Sequence, residues 1–267
     1  MTDIIICGAG GRMGSTLVRL IHEGPAMKLV GAVEASSSPQ VGKDAGEVAG
    51  VGKIGVPIAA DIAPLLKSRP VIIEFTAPDA TLEHANIAAH KGVPIVIGTT
   101  GFNQKQLDEI KGLSRRTRIM MSANMSLGVN LLVSLMGRVA KVLGDDYDVE
   151  IVEAHHRFKK DAPSGTALAL ARPIAEALKR DLDKAGVCGR KGIVGERTKQ
   201  EIGLLSVRAG DIVGDHTVIF GGLGERVEFI HRAQSRETFA RGALRAAQWL
   251  VKQKKGLYSM QDVLGLE

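Results

Sequence analysis

Two runs of residues in this chain have the types and spacing to do chemistry. The first, Gly8-Ala9-Gly10-Gly11-Arg12-Met13-Gly14, spaces its glycines as G-x-G-x-x-x-G, one residue longer than the common dinucleotide fingerprint. A first glycine permits a sharp turn after a strand, a second lets backbone N–H groups approach a pyrophosphate, and a last lets helix and strand pack closely. Glu34 follows 20 residues beyond Gly14, where a carboxylate can accept hydrogen bonds from an adenosine ribose. The glycines alone could make a plain structural turn. Their place between a strand and a helix, answered by Glu34, makes them a dinucleotide site. Two further stretches, Gly98-Thr99-Thr100-Gly101 and Ser122-Ala123-Asn124-Met125, each follow an apolar strand-like segment. Small and hydroxyl residues there leave room for a ligand and supply donors, although each could equally be an ordinary loop.

The second run is His155-His156-Arg157-Phe158-Lys159-Lys160, followed by Asp161-Ala162-Pro163-Ser164-Gly165-Thr166-Ala167. Pro163 and Gly165 punctuate a loop, and a helix is expected from about Thr166. A helix start offers unpaired N–H groups and a positive dipole end, which suits Ser164, Gly165 and Thr166 to hold a carboxylate; a simple helix cap is the alternative. Histidine moves protons near neutral pH, and lysine can both hold a carboxylate and donate a proton. Hydride transfer to a carbon–carbon or carbon–nitrogen double bond needs such a donor, so cofactor and chemistry agree. No Cys, Asp or Glu stands at metal-ligand spacing beside the histidines, and the neighbouring cations favour an anion, so no metal is expected.

The elements that must position these residues alternate along the first half of the chain. Ile4 to Cys7 and Lys28 to Glu34 read as strands flanking a helix from Met13 to about Gly24, which makes a β-α-β unit. Strands at Val71 to Phe75, Pro94 to Ile97 and Ile119 to Ser122 alternate with helices at about Asp79 to Lys91 and Gln104 to Leu113. The fold class is therefore α/β, with an N-terminal Rossmann-like, doubly wound parallel sheet. Beyond residue 126 the rhythm changes. A helix from Val129 to Leu143, a strand from Asp148 to Ala154 and a helix from Thr166 to Leu182 precede a charged stretch, Asp183 to Glu201. Three strand-like segments then follow without intervening helices, near Ile202 to Val207, His216 to Phe220 and Arg226 to His231, which predicts a second α+β domain with a mostly antiparallel sheet. Residues 1–126 form the expected dinucleotide-binding domain, residues 127–235 a second domain that carries the donor run, and residues 236–267, with a helix from Phe239 to Val251, are expected to pack back on the first.

Composition bounds the partners. With 267 residues, 45% hydrophobic and 24% charged, the chain has room for two cores. The formal charge of +6 is scattered and aromatics are only 3%, which argues against a nucleic-acid surface. Cys7 and Cys188 lack metal or redox spacing, the opening apolar run is too short for a signal peptide, and no stretch reads as the ~20 apolar residues of a membrane span. A cytoplasmic protein with no membrane and no nucleic-acid partner is expected.

Taken in order, the glycine turn, Gly98-Thr99-Thr100-Gly101-Phe102, Glu153-Ala154-His155-His156-Arg157, Asp161 to Ala167, and Arg208-Ala209-Gly210-Asp211-Ile212-Val213-Gly214 resemble the motifs of the 4-hydroxy-tetrahydrodipicolinate reductases (dihydrodipicolinate reductases) over essentially the whole chain. The resemblance implies reduction of a cyclic dicarboxylic imine precursor to tetrahydrodipicolinate with NADH or NADPH, in the diaminopimelate route of lysine biosynthesis, by a homotetramer in which residues 127–235 bind substrate and carry the oligomerisation. By position it makes His155 and Lys159 the catalytic pair, with the final proton donor left open between them. It places substrate on His156, Ser164, Gly165 and Thr166, and cofactor on Gly8, Ala9, Gly10, Gly11, Arg12, Met13, Glu34, Gly98, Thr99, Thr100, Ser122, Ala123, Asn124 and Met125. Where some relatives carry an arginine after the acidic residue, this chain has Ala35-Ser36-Ser37-Ser38. A carboxylate repels the extra phosphate of NADPH, so NADH is expected to serve at least as well, with Arg12 able to blunt the preference. Met125 stands where relatives commonly have an aromatic. Another two-domain Rossmann dehydrogenase acting on an amino-acid-derived carbonyl would explain the turn and the donors but not the ordered motifs. A non-catalytic dinucleotide sensor or basic nucleic-acid binder is the other rival.

Overall fold

The computed structural model describes residues 1–266. β1 (Thr2–Cys7) is a β-branched run in which Ile4, Ile5, Ile6 and Cys7 have no exposed surface, as a strand covered on both faces requires. The turn leads into α1 (Arg12–Glu23), whose Gly14, Leu17, Val18, Leu20 and Ile21 form the buried stripe, and then β2 (Met27–Val33). Three short elements come next: α2 (Ala45–Ala49), capped by the Asp44 carboxylate, β3 (Ile58–Ala59), and a 3-10 turn at Ala63–Ser68. None is long enough to leave a periodic pattern in sequence. The regular alternation resumes with β4 (Val71–Glu74), α3 (Pro78–Lys91), β5 (Ile95–Ile97), α4 (Gln104–Leu113) and β6 (Arg118–Met121).

α5 (Leu127–Leu143) carries the chain out of this alternation. With the 3-10 turn that follows, the helix over 127–146 has a mean hydropathy of 1.4 and is long and apolar enough by length and composition to cross a membrane. This corrects the reading that no stretch approaches a span; Val129, Met136 and Ala140 are buried in the protein's own packing. β7 (Asp148–His155) and α6 (Gly165–Ala177) follow. α6 stops five residues short of the expected Leu182. Lys179 takes a left-handed φ of 55°, and the Arg180 N–H turns back to the Ala175 carbonyl at 2.8 Å, which closes the helix. Residues beyond form α7 (Leu182–Ala185) and β8 (Gly186–Val187), both missed in sequence, before β9 (Ile202–Arg208), β10 (Gly214–Gly221) and β11 (Arg226–Ala233). The chain ends with α8 (Glu237–Leu250), β12 (Gly256–Tyr258) and α9 (Met260–Leu264).

Two compact units result. One comprises Met1–Leu127 with Arg236–Gly265, and the other is built on Gly128–Ser235. The first holds a seven-stranded, all-parallel sheet in the order β12-β6-β5-β4-β1-β2-β3. Alternate residues feed opposite layers: Ile4, Ile6, Val71, Ile73 and Val96 pack with α1 and α8, while Ile5, Ile72, Ile95 and Ile119 pack with α3 and α4. The chain runs outward one way from β1 through β2 and the other way from β4, so the topological switch point lies beside β1. Ligands bind at that position in open parallel sheets. The second unit holds a mixed sheet, β11-β10-β7-β9-β8, in which β10 is antiparallel to both neighbours and β9 and β8 join in parallel. One face of it packs on α5 and α6 through Val149, Ile151, Leu204, Val218 and Phe220.

Candidate active site

In the first unit, all four segments expected to meet the cofactor leave the carboxyl ends of strands in one sheet: Gly8 to Met13 after β1, Glu34 after β2, Gly98 to Thr100 after β5, and Ser122 to Met125 after β6. Gly8 has a φ of +79°, and a Cβ on it would stand 2.5 Å from the Phe75 carbonyl oxygen. The Gly8 and Ala9 N–H groups donate to the Val33 carbonyl at 2.9 and 3.1 Å. A Cβ on Gly14 would meet Ala9 Cα at 2.6 Å, so this glycine sets the helix-to-strand approach. The Gly10 N–H donates to the Glu34 carboxylate at 2.8 Å, which joins the turn to the acidic residue directly. α1 begins with Gly11 as N-cap and no side chain satisfying its first N–H groups, the arrangement that receives a phosphate. Beside it lies a cavity of about 440 Å³ lined by Gly8, Val33, Glu34, Ser36, Thr76 and His84. A dinucleotide fits these residues: the glycines leave a backbone cradle that side chains would fill, and a carboxylate stands at its edge.

Not every expected contact is equally free. Arg12 and Thr100 are exposed. The Thr99 hydroxyl accepts from the Thr76 N–H at 3.1 Å and the Thr81 hydroxyl at 2.8 Å, bracing the end of β5 to α3. Gly98 is required by the Phe75 ring, whose Cδ1 would be 2.8 Å from a Cβ. The Ser122 hydroxyl donates to the Asn124 carbonyl at 2.7 Å, the Asn124 side-chain oxygen accepts from the Ser126 N–H at 2.8 Å, and Ala123 is exposed. Met125 is 1% exposed and belongs to the apolar core, so its side chain supports the loop from beneath. The structure also brings Cys7, Glu74 and His84 together, with ligand atoms within 4.8 Å of one another. His84 is paired with Glu74 at 2.7 Å, and burial pushes the Cys7 thiol well up, with Glu74 adding to the effect.

In the second unit, His155 closes β7 and is nine-tenths buried. Its Nδ1 lies 2.5 Å from the Glu153 carboxylate, and its ring meets that of His216 edge-on at 5.2 Å. Burial lowers the pKa of His155, as do the charges of Lys159 and Arg208, against the raising influence of Glu153. Burial and the neighbouring histidines push His216 down to about 3, so it stays neutral. His156 follows on the loop, with Nδ1 buried and no hydrogen-bond partner among the described residues. The Lys159 ammonium donates to both oxygens of Asp161 at 2.9 Å, which holds that carboxyl below its usual range. Ser164 is the N-cap of α6: its hydroxyl accepts from the Ala167 N–H at 3.1 Å and lies 3.3 Å from His216 Nε2. Gly165 is exposed with no atom within 4 Å of where a Cβ would stand, and Thr166 is half-buried. The helix start therefore presents an open backbone at Gly165 within a cluster of proton donors.

The family model for the dihydrodipicolinate reductase N-terminus matches residues 2–125, and the model for its C-terminus matches residues 128–264. The chain belongs to the dihydrodipicolinate reductase family. It is 52% identical over 265 residues to the 4-hydroxy-tetrahydrodipicolinate reductase of Syntrophus aciditrophicus (strain SB), covering 99% of each chain. It is likewise 52% identical over 267 residues to the enzyme of that name from Hahella chejuensis (strain KCTC 2396), covering 100% of both. Among solved structures, the dipicolinate-bound dihydrodipicolinate reductase from Paenisporosarcina sp. TG-14 superposes with a TM-score of 0.74 at 26% identity, covering 98% of each chain. As a family member the chain is an oxidoreductase of lysine and diaminopimelate biosynthesis that uses a pyridine nucleotide.

Three residues of the reductase's donor cluster escaped the sequence reading as functional: Glu153, Arg208 and His216. Arg208 donates to both oxygens of Glu153 at 2.8 Å and to the Asp161 carbonyl at 2.6 Å. A signal for Glu153 was present. On β7 the buried positions alternate as Val149, Ile151, Glu153 and His155, so a period of two places an acid on the same face as the histidine, and a buried acid needs partners. Arg208 and His216 lie on strands far along the chain, and only the register that pairs His155 with Arg208 reveals the first of them.

Proposed function

We propose that the chain reduces 4-hydroxy-tetrahydrodipicolinate, by way of dihydrodipicolinate, to tetrahydrodipicolinate, with the roles divided between its units. The first unit, Met1–Leu127 together with Arg236–Gly265, holds the nucleotide on Gly8 to Met13, Glu34, Gly98 to Thr100 and the loop from Ser122 to Met125. The second, built on Gly128–Ser235, holds the substrate and builds the oligomer. The nicotinamide supplies the hydride to a ring carbon. His155 or Lys159 delivers the proton that completes the reduction, and His156 with the α6 start at Ser164, Gly165 and Thr166 grips the carboxylates. The observation that carries this reading is the His155 ring fixed on Glu153 at 2.5 Å, in the same unit as the start of α6, where the surroundings of Gly165 are open and a carboxylate is suited.

Cofactor choice follows from Glu34. Its carboxylate accepts from Gly10 and lies against the Ala35 N–H, and the next residues, Ala35 to Ser38, offer no cation to a ribose phosphate. NADH is used at least as well as NADPH. A homotetramer is supported by the second sheet's face turned away from α5 and α6, which register assigns Val152, Leu205, Val207, Ile219 and Ile230. Val207 is 45% and Ile230 47% exposed there, an apolar surface that association would cover. The enzyme acts in the cytoplasm on a small dicarboxylate, with no nucleic acid or membrane as partner. Steady-state kinetics of His155→Ala and Lys159→Ala test the assignment. Each should lower kcat by about 10²-fold or more, with the KM for NADH nearly unchanged. Normal turnover in both would refute it.

A further inference from the structure

Glu153 is 1% exposed, yet burial, which alone would favour its protonated form, is outweighed by donors that hold its pKa down to about 2. Oε2 meets His155 Nδ1 at 2.5 Å and accepts from Arg208 Nη1 at 2.8 Å. Oε1 accepts from Arg208 Nη2 at 2.8 Å and from the Ser164 N–H at 3.1 Å. These donors come from three places in the fold: the end of β7, the end of β9 and the start of α6. Arg208 extends the link to the Asp161 carbonyl, in the loop whose carboxylate holds Lys159. A histidine that gives its Nδ1–H to a carboxylate works through Nε2. Next to that nitrogen stands Gly214 of β10, where a Cβ would come within 3.1 Å of Nε2, so the approach to it is kept open.

We infer that Glu153, held by Arg208, is a positioning residue for the reduction: it fixes the orientation and tautomer of His155 and ties that ring to the helix start that grips the substrate carboxylate. The inference rests on the reading above and takes His155, of its two candidate donors, as the group that handles the proton, with Ser164 to Thr166 holding the anion. Proton donor and anion cradle thereby share one buried carboxylate and keep a fixed spacing, which is what a hydride acceptor must find when it binds.

The groups facing His155 are Glu153 on its own strand, Arg208 from β9, Lys159 from the loop, itself paired with Asp161, and His216 from β10, with His231 of β11 beyond it at 6.5 Å from His216. Their signs make a test. NMR titration of histidine-labelled enzyme, with the His155 resonance assigned by its loss in His155→Ala, reads the imidazole directly. Glu153 raises proton affinity at His155, and Arg208 lowers it. Glu153→Gln should therefore move the titration to lower pH and cut kcat about 100-fold, with the KM for NADH changed less than about twofold. Arg208→Gln should move the titration to higher pH and also reduce kcat, while Glu153→Asp, which keeps the charge, should restore part of both. A folded Glu153→Gln enzyme with an unshifted titration, or with kcat near wild type, overturns the inference. If Glu153→Gln does not fold, Arg208→Gln decides by its upward shift, and no shift there overturns it. Normal turnover in both His155→Ala and Lys159→Ala would instead overturn the reading on which this rests, whereas full activity in His155→Ala alone, or an inactive His155→Ala beside an active Glu153→Gln, removes only the positioning role.

Discussion

Glu34 has two duties in the same few ångströms. One carboxylate oxygen receives the Gly10 N–H at 2.8 Å, and the residue lines the cavity beside the glycine turn. Replacing it with Gln keeps an acceptor for Gly10 but removes the charge that opposes a ribose phosphate, so the ratio of kcat/KM for NADH over NADPH should fall in Glu34→Gln. An unchanged ratio would show that Arg12 or another group sets the preference. A second residue-scale prediction concerns acid stability. His216 is neutral in the fold, with its pKa lowered to about 3, whereas in the unfolded chain it takes up a proton near the ordinary value of about 6.5. Unfolded chains thus bind more protons between those values, and stability falls as pH drops through that window. Glu153, lowered to about 2 from 4.5, contributes stability above pH 4.5 that is lost as pH falls toward 2. Lowering the pH from 7 to 5 should therefore depress Tm less in His216→Gln than in wild type; an equal fall would remove His216 from the account.

At the scale of elements, what was legible depended on length and repetition. β1, α1 and α4 are long or sharply bounded, and the glycines after β1 announce their turn; α4 runs over the residues that the apolar spacing predicts, Gln104–Leu113. α2, β3, β8 and β12 are two to five residues long, too short for any period to show. α6 misled because its apolar spacing continues past Ala177, while the chain is turned aside by the left-handed Lys179. The same division holds in the site. His155, Lys159 and the Ser164 to Thr166 loop could be read because they are contiguous, but Arg208 becomes a partner of Glu153 only when β9 pairs in parallel with β7. Met125 shows the limit of position alone: it follows β6 as expected, yet its side chain is turned into the core. Gly14→Ala tests the tightest of these element contacts. A Cβ 2.6 Å from Ala9 Cα forces α1 away from β1, and should cost about 1–3 kcal/mol in denaturant unfolding, together with weaker NADH binding. A neutral effect on both would mean that the helix and turn adjust freely.

For the whole molecule, assembly and activity are separate questions. If copies associate through the open face of the second sheet, charge placed on it should prevent them. If the proposed tetramer forms there, Val207→Asp with Ile230→Glu should leave smaller sedimenting species than the unaltered chain, and an unchanged sedimentation would place any interface elsewhere. The central claim is the reaction itself. Substrate generated in place from pyruvate and aspartate semialdehyde should be consumed by the purified chain, with stoichiometric loss of NADH absorbance and appearance of tetrahydrodipicolinate by mass. Loss of NADH without that product, or no oxidation of either NADH or NADPH, would contradict the account.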